Sequence, residues 1–167
     1  MLAAWALLAA LLFALVTAGW LPAGADVKPG QLERWAALQS LHATLRRESG
    51  ALKDPLPVSE SSLLAGANTY LANCRACHGA ADGKPSAIAR GLNVSVPQLA
   101  ADGVEDDPEG ETYWKVKHGI RFTGMPAFGS ALSEEQIWQV TQFVAHLAHL
   151  PPAVEVAWKA MPSAALP

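Results

Sequence analysis

Tyr70 to Gly79 reads YLANCRACHG and holds the only two cysteines of the chain, Cys74 and Cys77, with His78 directly after the second. Three chemistries use cysteines this close together. A redox dithiol of the thioredoxin type sits at the start of a helix in a βαβ unit, where the dipole lowers a thiol pKa. Here no strand signal precedes the motif, and the residues before it have helical spacing, so the cysteines end a helix. A structural zinc site needs a second pair of ligands. With no further cysteine these would be His42, His118, His146 or His149, at arbitrary spacing. The third chemistry is covalent attachment of a c-type haem. Two thiols one helical turn apart can each bond a vinyl-derived carbon, while the adjacent histidine reaches the iron from the same face. On this reading Cys74 and Cys77 are thioether tethers and His78 Nε2 is the proximal ligand. Gly79 lets the chain turn away, and Arg75 and Ala76 are outward-facing spacers.

A second axial ligand has to come from the opposite face, and Met125 in FTGMPAFG is the expected donor. The other methionines are Met1 and Met161. Gly124 permits an unusual backbone angle, Pro126 stiffens the next bond, and a soft thioether favours ferrous iron. The rival ligand is His118. His146 and His149 fall in the last two turns of a terminal helix, where a histidine suits the dipole, and His42 lies upstream.

These residues need elements to position them. The 167 residues, 51% apolar, suit one ordinary domain with an appendage. Net charge is −3 with scattered Lys and Arg, so no stripe for neutralising phosphates exists and nucleic acid is not an expected partner. Ser61 or Ser62 caps a helix carrying Leu63, Leu64, Ala67, Tyr70, Leu71 and Cys74 at helical spacing. Gly79 to Val104 lacks any period and reads as an irregular loop. Asp107-Pro108-Glu109 starts a short helix through Tyr113, Trp114 and Val116 that Gly119 stops. Ser133-Glu134-Glu135-Gln136 is a capping box, and its helix runs to just before Pro151-Pro152. Residues 151–167 read as a surface tail with a turn of helix around Val156 and Trp158.

No charged side chain precedes Asp26. Leu2 to Leu21 is apolar or small throughout, long enough at ~1.5 Å per residue to cross a ~30 Å hydrocarbon layer. A membrane anchor is therefore expected over residues 1–25, with Trp5 and Trp20 at the interfaces. The alternative is a cleaved signal peptide, favoured by Ala23-Gly24-Ala25. In residues 26–60 an amphipathic helix from Gln31 to about Glu48 carries Leu32, Trp35, Leu38, Leu41 and Leu45. It is expected to pack on the main domain, or else to face a membrane or partner subunit. A linker with Pro55 and Pro57 follows.

Residues 62–150, within the expected 61–150 domain, resemble a class I c-type cytochrome of the small bacterial kind through NCRACHG, KHGIRFTGMPAF and LSEEQIWQVTQFV. The resemblance implies an all-α fold in which first and last helices cross beside one covalent haem c. It places Gly66 and Tyr70 against Phe143 or Trp138, and gives His78 Nδ1 an acceptor in the carbonyl of Pro85 or Pro97. Leu92, Leu99, Trp114, Ile120 and Phe128 would line the haem, with Trp114, Arg90 or Lys117 near a propionate.

It further implies one-electron transfer rather than catalysis, with the haem domain periplasmic on a bacterial inner membrane. Surface charge is mixed: Arg75, Lys84, Arg90, Lys115, Lys117 and Arg121 flank the site, and Asp102, Glu105, Asp106, Asp107, Glu109 and Glu111 form an acidic run. The expected partners are membrane redox complexes, namely an oxidase or reductase and a quinol-oxidising complex or dehydrogenase, together with the bilayer through residues 2–21. A tethered shuttle, a fixed haem subunit of a larger oxidoreductase, and a haem enzyme or gas sensor are the three functional readings.

Overall fold

The computed structural model describes residues 1–103 and 106–162. Glu105 of the acidic run and residues 163–167 of the expected tail lie outside the described residues. Among the described residues regular structure is all helical: α1 (Leu2–Thr17), α2 (Gln31–Glu48), α3 (Glu60–Asn73), α4 (Arg75–His78), α5 (Ala87–Gly91), α6 (Glu109–His118), α7 (Glu134–Ala145) and α8 (Pro152–Ala160), with a 3₁₀ turn at Leu147–His149.

The core forms where α3 and α7 cross. A Cβ on Gly66 would lie 2.0 Å from the Gln139 carbonyl oxygen and 2.9 Å from Phe143 Cβ, so only glycine lets the two backbones touch. Around that contact Leu63, Ala67 and Tyr70 of α3 pack with Ile137, Val140 and Phe143 of α7, all buried at three- and four-residue spacing. Tyr70 meets Phe143 edge to face at 5.6 Å. Each large apolar side chain so buried contributes roughly 1.5–3 kcal/mol. α6 completes the core, with Tyr113 stacked on Trp138 at 4.0 Å.

Several boundaries differ from expectation for local reasons. Ser59, not Ser61 or Ser62, caps α3, its hydroxyl accepting the Ser62 amide at 3.1 Å. Asp107 takes Lys115 Nζ at 2.8 Å and leaves the cap position of α6 to Pro108. Gly119 ends α6 with φ +67° as expected. The loop after Gly79 contains α5, capped by Ser86. The capping box at Ser133 is formed, but α7 ends at Ala145 instead of running to the prolines. There the Gln142 carbonyl accepts both the His146 amide and His146 Nδ1, at 3.1 and 2.8 Å, and the chain tightens into the 3₁₀ turn.

The expected surface tail is a packed helix. Pro152 occupies the first turn of α8, where its missing N–H costs nothing. Val154 and Trp158, one turn apart, share a buried face. The Trp158 ring stands edge-on to both Tyr70 and Phe143 at 5.3 Å.

The N-terminal elements behave otherwise. α1 stops at Thr17 in a Schellman arrangement: Gly19 has φ +73°, its amide donates to Val16, and the Trp20 amide donates to Leu15. Its 16 residues span only about 24 Å, and among the described residues no helix is long and apolar enough to cross a membrane. The expected single span over residues 2–21 is therefore interrupted at Gly19. α2 occupies its expected range, but its stripe is buried only at Leu45, while Leu32 is 76% and Trp35 60% exposed. The expected packing on the domain is confined to the last turn, where Ser49 is buried and Glu48 bonds α6.

Candidate functional site

α3 runs out at Asn73, and Cys74 is at once its C-cap and the N-cap of the single turn α4. The amides of Cys77 and His78 both donate to the Cys74 carbonyl, at 3.1 and 2.9 Å, so thiols and imidazole occupy one tight turn. Both cysteines are free thiols. Burial, helped by the neighbouring Cys77, pushes the Cys74 thiol up to about 12. That is opposite to the lowered pKa of a redox dithiol.

His78 is oriented from behind. Its Nδ1 donates to the Pro97 carbonyl at 3.0 Å. Pro85, the other candidate acceptor, bonds the Arg90 guanidinium at 2.7 Å. Burial holds the imidazole below its ordinary range, and the Pro97 bond offsets this in part. A neutral imidazole whose Nδ1–H is taken presents Nε2 as its free lone pair.

A strap of chain closes the orphan carbonyls at the end of this turn. The Leu99 amide donates to His78 at 3.3 Å, and Gln98 Nε2 donates to Cys77 at 3.2 Å. The Tyr70 hydroxyl bridges the His78 and Gly79 carbonyls at 3.1 and 2.9 Å, and the Ser86 hydroxyl donates to Ala76. Gly79 turns the chain at φ +81°, and a Cβ there would lie 2.5 Å from the Gln98 amide oxygen. Gln98 and Ser86 escaped the sequence reading, because a side chain that bonds a distant backbone carbonyl leaves no period or motif.

The loop after α6 folds back on itself. A Cβ on Gly119 would lie 2.7 Å from the Met125 carbonyl oxygen, which accepts the Ile120 amide at 3.2 Å. Thr123 Oγ1 accepts the Met125 amide at 3.1 Å, and the amides of Phe128 and Gly129 donate to Val116 and Lys117. Met125, Leu99, Phe128 and Cys74 are partly buried against the same core cluster. Leu92 abuts Gly124, where a Cβ would meet it at 2.6 Å, and joins the two loops. Ile120 is half-buried.

The residues expected near a propionate have partners within the chain. The Trp114 indole N–H donates to Glu48 at 3.0 Å, which makes this residue a tie between α6 and α2. Lys117 is paired with Glu134 at 2.8 Å and approaches the Tyr113 hydroxyl at 3.3 Å. Arg75, expected as an outward spacer, is half-buried and donates to the Pro162 carbonyl at 2.7 Å. His118 is exposed, with its ring 4.9 Å from Trp114. Among the described residues no three His, Cys, Asp or Glu side chains are grouped as a metal site.

The donor set fits a covalent haem: two free thiols in one turn, and a histidine whose Nδ1 is already committed so that Nε2 can bind iron. The model of the family described as cytochrome C oxidase, cbb3-type, subunit III matches residues 61–144, about half of the chain. No curated protein and no solved structure matches. A c-type domain accounts for the crossing at Gly66, the turn at Cys74 and the bond from His78 to Pro97 together, and the chain belongs to the cbb3-type cytochrome c oxidase subunit III family, which implies haem c held by Cys74, Cys77 and His78.

Proposed function

We propose that this chain transfers single electrons as a mono-haem c-type cytochrome, linking a quinol-oxidising complex or dehydrogenase to a terminal oxidase or reductase. The observation that carries this reading is the orientation of His78 by Pro97 within the Cys-x-x-Cys-His turn. Haem c, when bound, would supply reversible gain and loss of one electron.

The chain's own residues do the rest. Cys74 and Cys77 would tether the group, and His78 Nε2 and Met125 Sδ would be the side-chain atoms offered to its iron. The strap through Pro97, Gln98 and Leu99 keeps the imidazole from rotating, and Gly119 and Thr123 hold the Met125 backbone in its folded-back loop. Leu92, Leu99, Ile120 and Phe128 would exclude water around such a group, which would disfavour extra positive charge there.

The charge-free stretch from Leu2 to Leu21 tethers the domain to a bacterial inner membrane, with the haem domain periplasmic. Exposed apolar side chains along α1 and the continuation of the run past Gly19 support this. A tether raises the effective concentration at a membrane partner, so weak docking suffices. The second reading, a fixed haem subunit of an oxidase, is favoured by the description of the family and by the uncovered stripe of α2.

Purification from membranes in mild detergent, with a visible spectrum and stoichiometry of copurifying subunits, tests both. The ferric protein is expected to show the weak far-red band of Met ligation, and Met125→Ala to abolish it. Persistence of the band in that variant would refute the ligand assignment, and stoichiometric partners would favour the fixed subunit.

A further inference from the structure

Phe122 breaks two rules at once. Its φ of +61° makes it the one non-glycine residue with positive φ among the described residues, and its side chain is 88% exposed. It occupies the third position of the turn Ile120–Thr123, closed by the Thr123 amide on the Ile120 carbonyl at 3.2 Å. A turn with positive φ at that position suits Gly or Asn, whereas a bulky aromatic there is strained. Strain of this kind is normally offset by burial, yet this ring is out in solvent. A local rule broken at a ring that no described residue buries points to a role for the ring itself.

The surroundings identify what meets it. The turn leads directly to Met125, and Leu92 against Gly124 joins it to the loop before α6. From Lys84 to Ala101 and from Gly119 to Ser133 there is no Asp or Glu, the bounding Asp82 and Asp102 being turned to the Lys84 and Gln98 backbone amides, while Lys84, Arg90 and Arg121 are exposed. Among the described residues none of these three cations has an acidic partner within ion-pair distance, in contrast to Lys115 and Lys117. The same loops expose Ile88 and Val94, at 46% and 38%. Exposed apolar side chains and cations without acidic partners on two loops joined at Leu92 and Gly124 match a protein face that offers an apolar pocket and carboxylates.

We infer that Phe122 is the apolar anchor by which this chain docks the acidic face of its electron acceptor, with Lys84, Arg90 and Arg121 as the complementary rim. This rests on the electron-transfer reading above. The left-handed turn lifts the ring clear of the loop, and the partner's pocket supplies the burial that the fold withholds.

The test uses membranes of the source bacterium carrying the full-length protein or a variant, matched for covalent haem. Reoxidation of the pre-reduced protein is followed in its visible band after oxygen is added, one electron leaving each protein through the membrane oxidase. Oxidation by hexacyanoferrate(III) serves as a control that needs no docking. Phe122→Gly and Phe122→Asn, both at ease at positive φ, are expected to slow oxygen-driven reoxidation at least tenfold, the scale of a lost interface hot spot. The hexacyanoferrate rate, the Met-ligation band and the melting temperature are expected to stay unchanged or, for melting, to rise. Phe122→Tyr is expected to keep the wild-type rate, and Arg121→Glu to slow it and weaken its decline with salt.

Wild-type rates in both the Gly and Asn variants would overturn the anchor. Loss in the Gly variant alone would assign the effect to backbone freedom and overturn it too. Wild-type protein that hexacyanoferrate oxidises but the oxygenated membrane does not would instead overturn the oxidase as its acceptor.

Discussion

The first 48 residues and the segment from Glu60 to Ala160 are both helical and both rich in leucine and tryptophan, yet they use these side chains in opposite ways. In the second segment Leu63, Tyr70, Phe143 and Trp158 are 5% exposed or less. In the first, Leu2, Trp5, Leu32 and Trp35 are each at least 60% exposed, and Leu45 is the buried residue of α2. Helix formation needs only local spacing, whereas burial needs a facing surface. The later helices supply one another with that surface at a crossing tight enough to require Gly66. α1 and α2 present apolar area that the rest of the described chain does not cover, as expected of segments whose neighbours are lipid or protein.

The contrast can be broken most severely at the crossing itself. Gly66→Val forces atoms into the Gln139 carbonyl and is expected to cost about 3 kcal/mol or more, since the backbones must separate. Thermal melting together with covalent haem yield would register it, and a near-normal melt would show that the crossing is looser than the geometry states. Next, Trp158→Ala empties a site ringed by Tyr70 and Phe143 and is expected to cost about 3–5 kcal/mol at most. If it cost nothing, α8 would be the surface tail that its sequence suggested.

The N-terminal side sharpens the comparison by responding in another observable. Leu32→Glu with Trp35→Glu should leave the melt of the later segment unchanged within ~0.5 kcal/mol, as for surface changes, while reducing membrane or complex association in detergent-fractionated extracts. A lowered melt would mean that α2 packs on the domain more extensively than Leu45 alone.

The smallest expected effect belongs to Lys117 and Glu134. Their hydrogen bond raises the Lys117 pKa above its ordinary 10.5 and lowers that of Glu134 below its ordinary 4.5. The Glu134 contribution is present above that ordinary value and lost as pH falls through its lowered folded-state pKa. The Lys117 contribution is present below 10.5 and lost as pH rises through its raised one. Lys117→Met should therefore lower the melt slightly at neutral pH, and the difference should close at both extremes. A constant difference across the range would assign the loss to the Tyr113 contact instead.

Much of the site was legible before any coordinates. C-x-x-C-H has one economical explanation because thioether and imidazole chemistry impose a one-turn spacing, and α2, α6 and the start of α7 announced themselves through apolar period, a terminal glycine and a capping box. The hydrogen bond of Trp114 to Glu48 was not legible, because sequence does not say which distant side chain an indole N–H will meet. The burial of Trp158 was missed because nine residues between prolines carry too little period to promise a partner.

The sequence by itself determined the helical class, the covalent attachment triad and the charge-free N-terminal run. These follow from local geometry and from the chemistry of single residue types. Tertiary structure alone decided that the Pro97 and not the Pro85 carbonyl accepts the hydrogen bond from His78 Nδ1, that Phe143 and not Trp138 faces Tyr70, that Gln98 and Tyr70 close the carbonyls behind the histidine, and that Phe122 is left strained in solvent. Each of those depends on which distant segments meet, and that is set by the packing of whole helices around Gly66.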